Sequence, residues 1–496
     1  MKALLVYPEF PDTFWSFRYA LKFIFKKASS PPLGLLTIAA MLPEAWEIKL
    51  VDMNVEHLHE DDLKWADLVL VSAMSVQKES VKTVLARCKA VGVRTVAGGP
   101  LFSTEYETFG DVDHLVLNEA EITLPRFLED FQKGVAGRIY TTDQWADISQ
   151  TPIPLWRLIT TKYYASINIQ YSRGCPRNCE FCDIALLCGR IPRTKDRAQV
   201  IRELESVYAS GFRGQVFFVD DNFIGNKKKL KEEILPAIID WMERRKHPFS
   251  FNTQASIELA DHEDLMQLMV RAGFDVVFVG IETPHAESLA ECGKFQNKDR
   301  DLLVSVRKIQ QSGMEVQGGF IVGFDNDPLT IFDTQIRFIQ ESGVVTAMVG
   351  ILIALSRTKL YERLKQEQRL LKATSGNNTD FATNFIPRMG YDQLINGYKK
   401  ILTTIYSPKH HYERIRTFLR EYNPPKKTTS AFWLRLNYLA AFFRSIVVLG
   451  IIGKERFQYW KLLFWTMATR PRLFPQAITL AIYGYHFRKI FEKRVG

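Results

Sequence analysis

Three cysteines stand close together in the run Tyr171-Ser-Arg-Gly-Cys175-Pro-Arg-Asn-Cys179-Glu-Phe-Cys182. Thiolates four and then three positions apart on one loop can reach three corners of an iron–sulfur cube. Clusters usually take four thiolates, so three leave one iron open to a small ligand. Zinc is the rival, and as a structural ion it takes four protein ligands. No histidine lies between His114 and His247, and Cys188 is the nearby thiol that could complete such a site. Cys175, Cys179 and Cys182 therefore read as the metal ligands of an open-iron cluster, with zinc as the alternative.

The residues that must surround this loop lie where strands are expected to end. In the first 135 residues the apolar runs Ala3–Tyr7, Ile48–Asp52, Leu68–Ala73, Arg94–Gly99 and His114–Glu119 alternate with helical patterns near 33–43, 78–91 and 121–133. That alternation predicts an α/β fold with a doubly wound parallel sheet. Ligands of such sheets bind beyond the C-terminal strand ends. Here those ends carry Asp52-Met-Asn54, Ser72-Ala-Met-Ser75, Gly98-Gly99-Pro100 and Asn118-Glu119. No G-x-G-x-x-G follows the first strand and no Walker sequence occurs, which argues against nicotinamide and nucleoside triphosphates.

Residues 136–165 read as a linker, with prolines two apart in Thr151-Pro-Ile-Pro-Leu-Trp156. Six βα units follow, with strands predicted at 167–171, 216–220, 249–255, 275–281, 315–323 and 347–353, so 166–355 is expected to form a partial (β/α)6 TIM-type barrel. Functional residues of barrels sit at C-terminal strand ends. Those ends carry Asp220-Asp221-Asn222-Phe223, Gly280-Ile-Glu282-Thr-Pro284 and Gly318-Gly319-Phe-Ile-Val-Gly323. Helix caps and turns would use the same acids, and that reading stays open for Asp220 and Asp221. Beyond residue 355 the periodicity is helical, giving a C-terminal helical domain over 356–496.

The cysteine spacing, with Phe181 before the last cysteine and a strand-like Ile167–Tyr171 before the loop, resembles the radical S-adenosylmethionine (SAM) superfamily. The resemblance implies a 4Fe-4S cluster whose open iron takes the methionine part of SAM, and one-electron cleavage to a 5′-deoxyadenosyl radical. It implies that Phe181 lies against the cofactors and that Asp220 and Asp221 hold the amino group of SAM. Glu282 would hold ribose or the methionine part, and Gly318, Gly319 and Gly323 would let backbone approach adenine. A sheet before such a motif resembles the cobalamin-binding domain of cobalamin-dependent radical SAM enzymes, with Asp52, Asn54, Ser72, Ser75, Gly98, Gly99 and Glu119 as the implied contacts. Many cobalamin proteins place a cobalt-ligating histidine in Asp-x-His-x-x-Gly, but here Asn54 stands in that position, so no protein imidazole on cobalt is expected.

The order of sheet, linker, cysteine loop, Asp-Asp-Asn-Phe, Gly-Ile-Glu-Thr-Pro and aromatic tail resembles the group that includes hopanoid carbon-2 methylases. The implied activity is methylation of an unactivated carbon of a hydrophobic small molecule, with reduced flavodoxin or ferredoxin as electron donor. Ring formation or carbon–carbon coupling is the alternative chemistry, and a peptide, antibiotic or tetrapyrrole the alternative substrate. A tRNA methylthiotransferase would bring three further cysteines upstream, where only Cys88 stands. The non-enzyme alternative is a metal-bearing interaction protein held at membranes.

Charge is unevenly placed. The chain nets +10, and residues 431–496 supply 11 Lys/Arg against Glu455 and Glu492, together with 15 aromatics. Such a tail, like the aromatic-cationic stretch Asp12–Lys27, is expected to lie in a membrane interface, or else to pack as core. The tail's longest stretch without charge, 473–487, is interrupted by Pro475 and is shorter than the roughly 20 residues a spanning helix needs. No nucleic-acid module accompanies the positive charge, so no nucleic acid is expected. Six cysteines without a disulfide pattern and a short N-terminal apolar run indicate a cytoplasmic protein, with peripheral contact at the inner face of the membrane.

Overall fold

The computed structural model describes residues 1–371, 377, 380–424 and 432–495. The first sheet contains β1 (Lys2–Tyr7), β2 (Glu47–Asp52), β3 (Leu68–Ser72), β4 (Arg94–Gly98), β5 (His114–Val116) and β6 (Ile139–Tyr140), in the order β2-β1-β3-β4-β5-β6. All its pairings are parallel. The two faces of β1 and β3 are both covered, which is why these strands read as unbroken apolar runs. Ala3, Leu5, Leu68 and Leu70 pack on one side with α1 (Leu33–Met41) and α3 (Ala120–Gln132). Leu4, Val6, Val69 and Val71 pack on the other with α2 (Lys78–Val91). The sheet continues past residue 135, because β6 pairs with β5; two residues are too short to show a strand period.

The second sheet is an open barrel. Strands β7 (Ser166–Ile169), β10 (Gly214–Phe218), β11 (Phe249–Gln254), β12 (Phe274–Glu282), β13 (Glu315–Val322) and β14 (Ala347–Ile351) follow one another in chain order and run parallel. A small antiparallel ribbon, β8 (Ser172–Arg173) with β9 (Arg193–Thr194), lies between β7 and β10. Helices α4 (Arg197–Ala209), α5 (Leu235–Arg244), α6 (Glu263–Ala272), α7 (Leu302–Ser312) and α8 (Ile331–Ser342) cover the outside. In β11, Phe249, Phe251 and Thr253 are buried while Ser250, Asn252 and Gln254 alternate with them on the other side, as a two-residue period requires.

Six strands leave a gap between β7 and β14, and both ends of the chain fill it. Residues 28–31 run beside β7: Ala165 and Ser166 donate their backbone N–H groups to Ala28 and Ser29 at 3.1 and 2.8 Å. At the other edge the Tyr406 hydroxyl donates to the Ala347 carbonyl, and Phe14 packs against Tyr406 and Phe487. The stretch 12–27 is therefore no single interfacial helix. Left-handed backbone at Phe17 and Phe25 breaks it into short turns, and Phe14 and Phe23 are buried.

The C-terminal elements are α9 (Lys359–Gln366), α10 (Tyr391–Ile405), α11 (Pro408–Glu421), α12 (Phe432–Ser445), a π-helical turn (Ile446–Ile452), α13 (Arg456–Thr469) and α14 (Phe474–Val495). Residues 425–431, where the tail begins, lie outside the described residues. Much of the tail is core: Tyr459, Leu462, Leu480 and Phe487 are fully buried, and Pro475 sits in the first turn of α14, where a missing N–H costs nothing. Among the described residues no helix is long and apolar enough to cross a membrane.

Candidate active site

The cysteine loop leaves the C-terminal end of β7 and is pinned at its base by the β8–β9 ribbon. Gly174 opens it with φ +101°; a Cβ there would come within 2.9 Å of the Cys188 and Ile191 carbonyls, so glycine is required. The Cys175 N–H donates to Gly189 at 3.2 Å, and the Cys182 N–H closes a turn on Cys179. Cys175, Cys179 and Cys182 are partly exposed, whereas Cys88 and Cys292 are buried. Burial raises all three loop thiols, Cys182 up to about 12, and the Lys294 ammonium opposes the rise at each of them.

Lys294 was not legible from spacing. The segment carrying it lies against the loop: Glu180 N–H donates to the Cys292 carbonyl at 2.9 Å, and a Cβ on Gly293 would sit 3.3 Å from the Asn178 carbonyl. Its ammonium pairs with Glu282. Glu282 ends β12 in a left-handed conformation, φ +63°, at a register shift. Side chains hold this distortion in place, since Asn297 donates to the Gly280 and Ile281 carbonyls and Gln335 to that of Glu282. A strained strand end fixed by its neighbours is a common mark of a functional position.

Other expected contacts face the protein itself. Asp220 is buried and accepts from the Tyr171 and Ser172 N–H groups and from the Ser172 hydroxyl; burial pushes its pKa up to about 7. Asp221 accepts from the Gly174 N–H at 2.9 Å. Both acids brace the start of the cysteine loop. A Cβ on Gly318 would strike Phe320 and Val344, one on Gly319 would strike Phe278, and one on Gly323 would crowd Leu394. Neighbouring side chains thus fill the space where a Cβ would stand at each of the three. Phe181 packs against Phe324, with ring centroids 6.2 Å apart.

At the first sheet the chain leaves β1 for β2 on one side and continues to β3 on the other, which makes β1/β3 the switch point where ligands of such sheets bind. The loops that follow these two strands, Pro8–Phe10 and Met74–Gln77, are joined where the Gln77 amide donates to the Pro8 carbonyl at 2.5 Å. Ser72 and Ser75 are partly exposed here and Met74 is half exposed. Gly99 has φ +88°, and its Cβ would meet Ser72 Oγ at 2.5 Å; a Cβ on Gly98 would meet the Val116 carbonyl. Asn54 is fully engaged. Its amide donates to Asp52 at 2.7 Å and to Pro8 at 3.3 Å, and its oxygen accepts from Phe10. Asp52 is buried and also accepts from Tyr164, so the pair ties the loop at the end of β2 to the linker, and His57 points to solvent as an exposed residue.

Glu119 has yet another role. Its buried carboxylate accepts from Arg173 at 2.6 Å and from Arg193 at 2.8 Å, and Glu121 accepts from Arg173 at 3.0 Å. Both arginines belong to the ribbon at the base of the cysteine loop. The end of β5 is thus riveted to the residues that present Cys175.

The radical SAM superfamily model matches residues 169–339, the B12 binding domain model residues 27–128, and a domain of unknown function (DUF4070) residues 358–495. An uncharacterized methyltransferase of Synechocystis is 41% identical over the whole chain and 94% of its own length. Hopanoid C-2 methylase of Rhodopseudomonas palustris is 31% identical over 93% of this chain and 88% of that protein. The chain belongs to the cobalamin-dependent radical SAM methyltransferases. The solved structure of the cobalamin-dependent SAM radical enzyme OxsB with aqua-cobalamin and SAM bound shares the fold, with a TM-score of 0.63 and 15% identity over 100% of this chain and 79% of that one.

The cofactors of this methyltransferase are a 4Fe-4S cluster, SAM and cobalamin. Its residues fit them. Three partly accessible thiols on one pinned loop, with the Lys294 ammonium beside them, suit a polynuclear cluster that binds thiolates. The β1/β3 strand ends offer an exposed Met74 and partly exposed Ser72 and Ser75, apolar and hydrogen-bonding groups that suit a corrin ring and its amide side chains.

Proposed function

We propose that this enzyme methylates an unactivated carbon of a hydrophobic, lipid-like substrate. The likeness to hopanoid C-2 methylase supports the reading, because it runs over 93% of the chain and so must extend into the C-terminal helices. When bound, the reduced cluster with SAM supplies hydrogen abstraction and cobalamin supplies a transferable methyl group. Cys175, Cys179 and Cys182 would hold three irons and leave the fourth to SAM. Glu282, fixed by Lys294, Asn297 and Gln335, would meet polar groups of SAM at the barrel mouth, and Asp220 and Asp221 would keep the cysteine loop in register with it. Tyr7, Ser72, Ser75 and the Gly98-Gly99 turn would form the floor under cobalamin, and the pairing of Glu119 with Arg173 and Arg193 would hold that floor to the cysteine loop. A closed joint of this kind excludes water from a radical site. Reduced flavodoxin or ferredoxin would deliver the electron, and contact with a membrane would supply the substrate.

The test is reconstituted enzyme incubated anaerobically with methyl-deuterated SAM, cobalamin, a reductant and a pentacyclic triterpene hydrocarbon. One labelled methyl group on a ring carbon is the expected product. SAM cleavage with no labelled lipid, but with label on an added tetrapyrrole or peptide, would overturn the substrate class.

A further inference from the structure

The hairpin made by α12, the π-helical turn and α13 has two unlike faces. Its inner face belongs to the core, where Leu449, Tyr459, Leu462 and Leu463 meet Leu473, Ala477 and Leu480. Its outer face is apolar as well. Phe443, Val447 and Ile451 recur every four residues, and Phe457 and Phe464 lie two turns apart on α13. Ile452 and Phe457, at the tip, are 74% and 77% exposed. Of 23 exposed large hydrophobic residues among those described, eight fall between 439 and 467, where even scatter would place one or two. Single exposed apolar residues are ordinary, but a contiguous patch marks a surface that meets something.

The charge around the patch says what it meets. From 439 to 470 the cations are Arg444, Lys454, Arg456, Lys461 and Arg470. The one carboxylate in that stretch, Glu455, is buried and paired with Arg488. Arg444 also lies 3.5 Å from the centre of the Phe25 ring, so the exposed Phe25 and Lys22 extend the surface. A second copy of the chain would set cation against cation across a twofold axis. An anionic bilayer complements both features, taking the side chains at the acyl boundary and the cations at the phosphates.

We propose that this hairpin face docks on an anionic membrane surface, with Ile451, Ile452 and Phe457 entering the interface and Lys454, Arg456 and Lys461 reaching lipid phosphates. The inference rests on the surface alone and holds whatever carbon the enzyme methylates. Its test is co-sedimentation of the full-length, cofactor-loaded protein with phosphatidylcholine vesicles, with and without phosphatidylglycerol. Binding is expected to need the anionic lipid. Each cation removed, in Lys454→Gln and Arg456→Gln, should weaken partition about five-fold, the equivalent of about 1 kcal/mol. The double variant Ile452→Ser, Phe457→Ser should lose at least about ten-fold, and since both residues are exposed its melting and iron content should match the unaltered protein. Failure of the unaltered protein to pellet with anionic vesicles, or equal pelleting of the variants, would overturn the proposal. So would a dimer in sedimentation velocity that the serine variant dissociates, which would give the face to a second copy.

Discussion

Replacing Glu119 by glutamine should loosen the joint between the first sheet and the cysteine loop. The carboxylate is 3% exposed and faces Arg173 and Arg193, each with a side chain 17% exposed. Glutamine keeps the volume, removes the charge and turns a donor toward guanidinium groups that only donate. Arg173 would retain Glu121, and Arg193 the carbonyls of Ala146 and Cys188. Removing one partner of a buried ion pair costs roughly 3–5 kcal/mol. The surviving acceptors argue for the low end, about 3 kcal/mol, or a change of about 100-fold in the equilibrium between docked and parted units. Limited proteolysis of the 136–165 segment reads that equilibrium directly, and iron retention through gel filtration reads its effect on the loop. Both should worsen together. A second substitution, Arg193→Gln, should return part of the loss, because it removes one of the stranded cations. Cleavage within two-fold of the unaltered enzyme, with iron retained, would refute the idea that this carboxylate holds the two units together.

Three more predictions concern the site and the tail. Cys179→Ala should abolish the cluster and SAM cleavage together, while Cys88→Ala, buried on α2 against the first sheet, should leave about four irons per chain; stoichiometric zinc on purified protein would contradict this. Cob(II)inamide, the cofactor without its own benzimidazole, should show no nitrogen superhyperfine splitting in its electron paramagnetic resonance spectrum when bound to the enzyme, since Asn54 is tied to Asp52, Pro8 and Phe10; a nitrogen triplet would point to His57. His411 and His486 are buried with pKa values lowered to about 3 and about 4 by desolvation. The unfolded chain therefore takes up protons that the native chain refuses as pH falls below about 6.5, and stability should drop by about 1.4 kcal/mol per unit for each histidine. Buried Asp220 and Glu315, raised to about 7, slope the other way in this range, so the check is the difference in stability between His486→Gln and the unaltered protein, which should change by about 1.4 kcal/mol per unit between pH 6 and 5; a pH-independent difference would remove the argument.

Strand positions were legible because the central strands of covered sheets are unbroken apolar runs, and the three cysteines because their spacing is local. What sequence hid was direction. Asp220, Asp221 and Glu119 stand at strand ends, as ligand-binding residues do, yet their oxygens turn to Ser172, Gly174 and Arg173, partners brought near only by folding. Lys294 lies twelve positions beyond Glu282 with no periodic relation to it, and its importance appears only when its segment is laid against Asn178 and Glu180. The aromatic-cationic stretch 12–27 carries the composition of an interfacial helix, but composition cannot tell a lipid boundary from the flank of a barrel.

The plug between β7 and β14 also sets an order of events during synthesis. Phe14 and the His486–Phe487 pair that clasps it are separated by almost the entire chain. At roughly 5–20 residues per second, the first residues wait tens of seconds for the last helix to leave the ribosome. For that interval the residues of the cysteine loop and of both sheets are already synthesised, while α14 is missing from the flank of the barrel. Helix α14 therefore acts as a closing seam. A stop codon that removes only α14 deletes nothing near the cysteines, yet leaves the opposite end of the polypeptide without a seat.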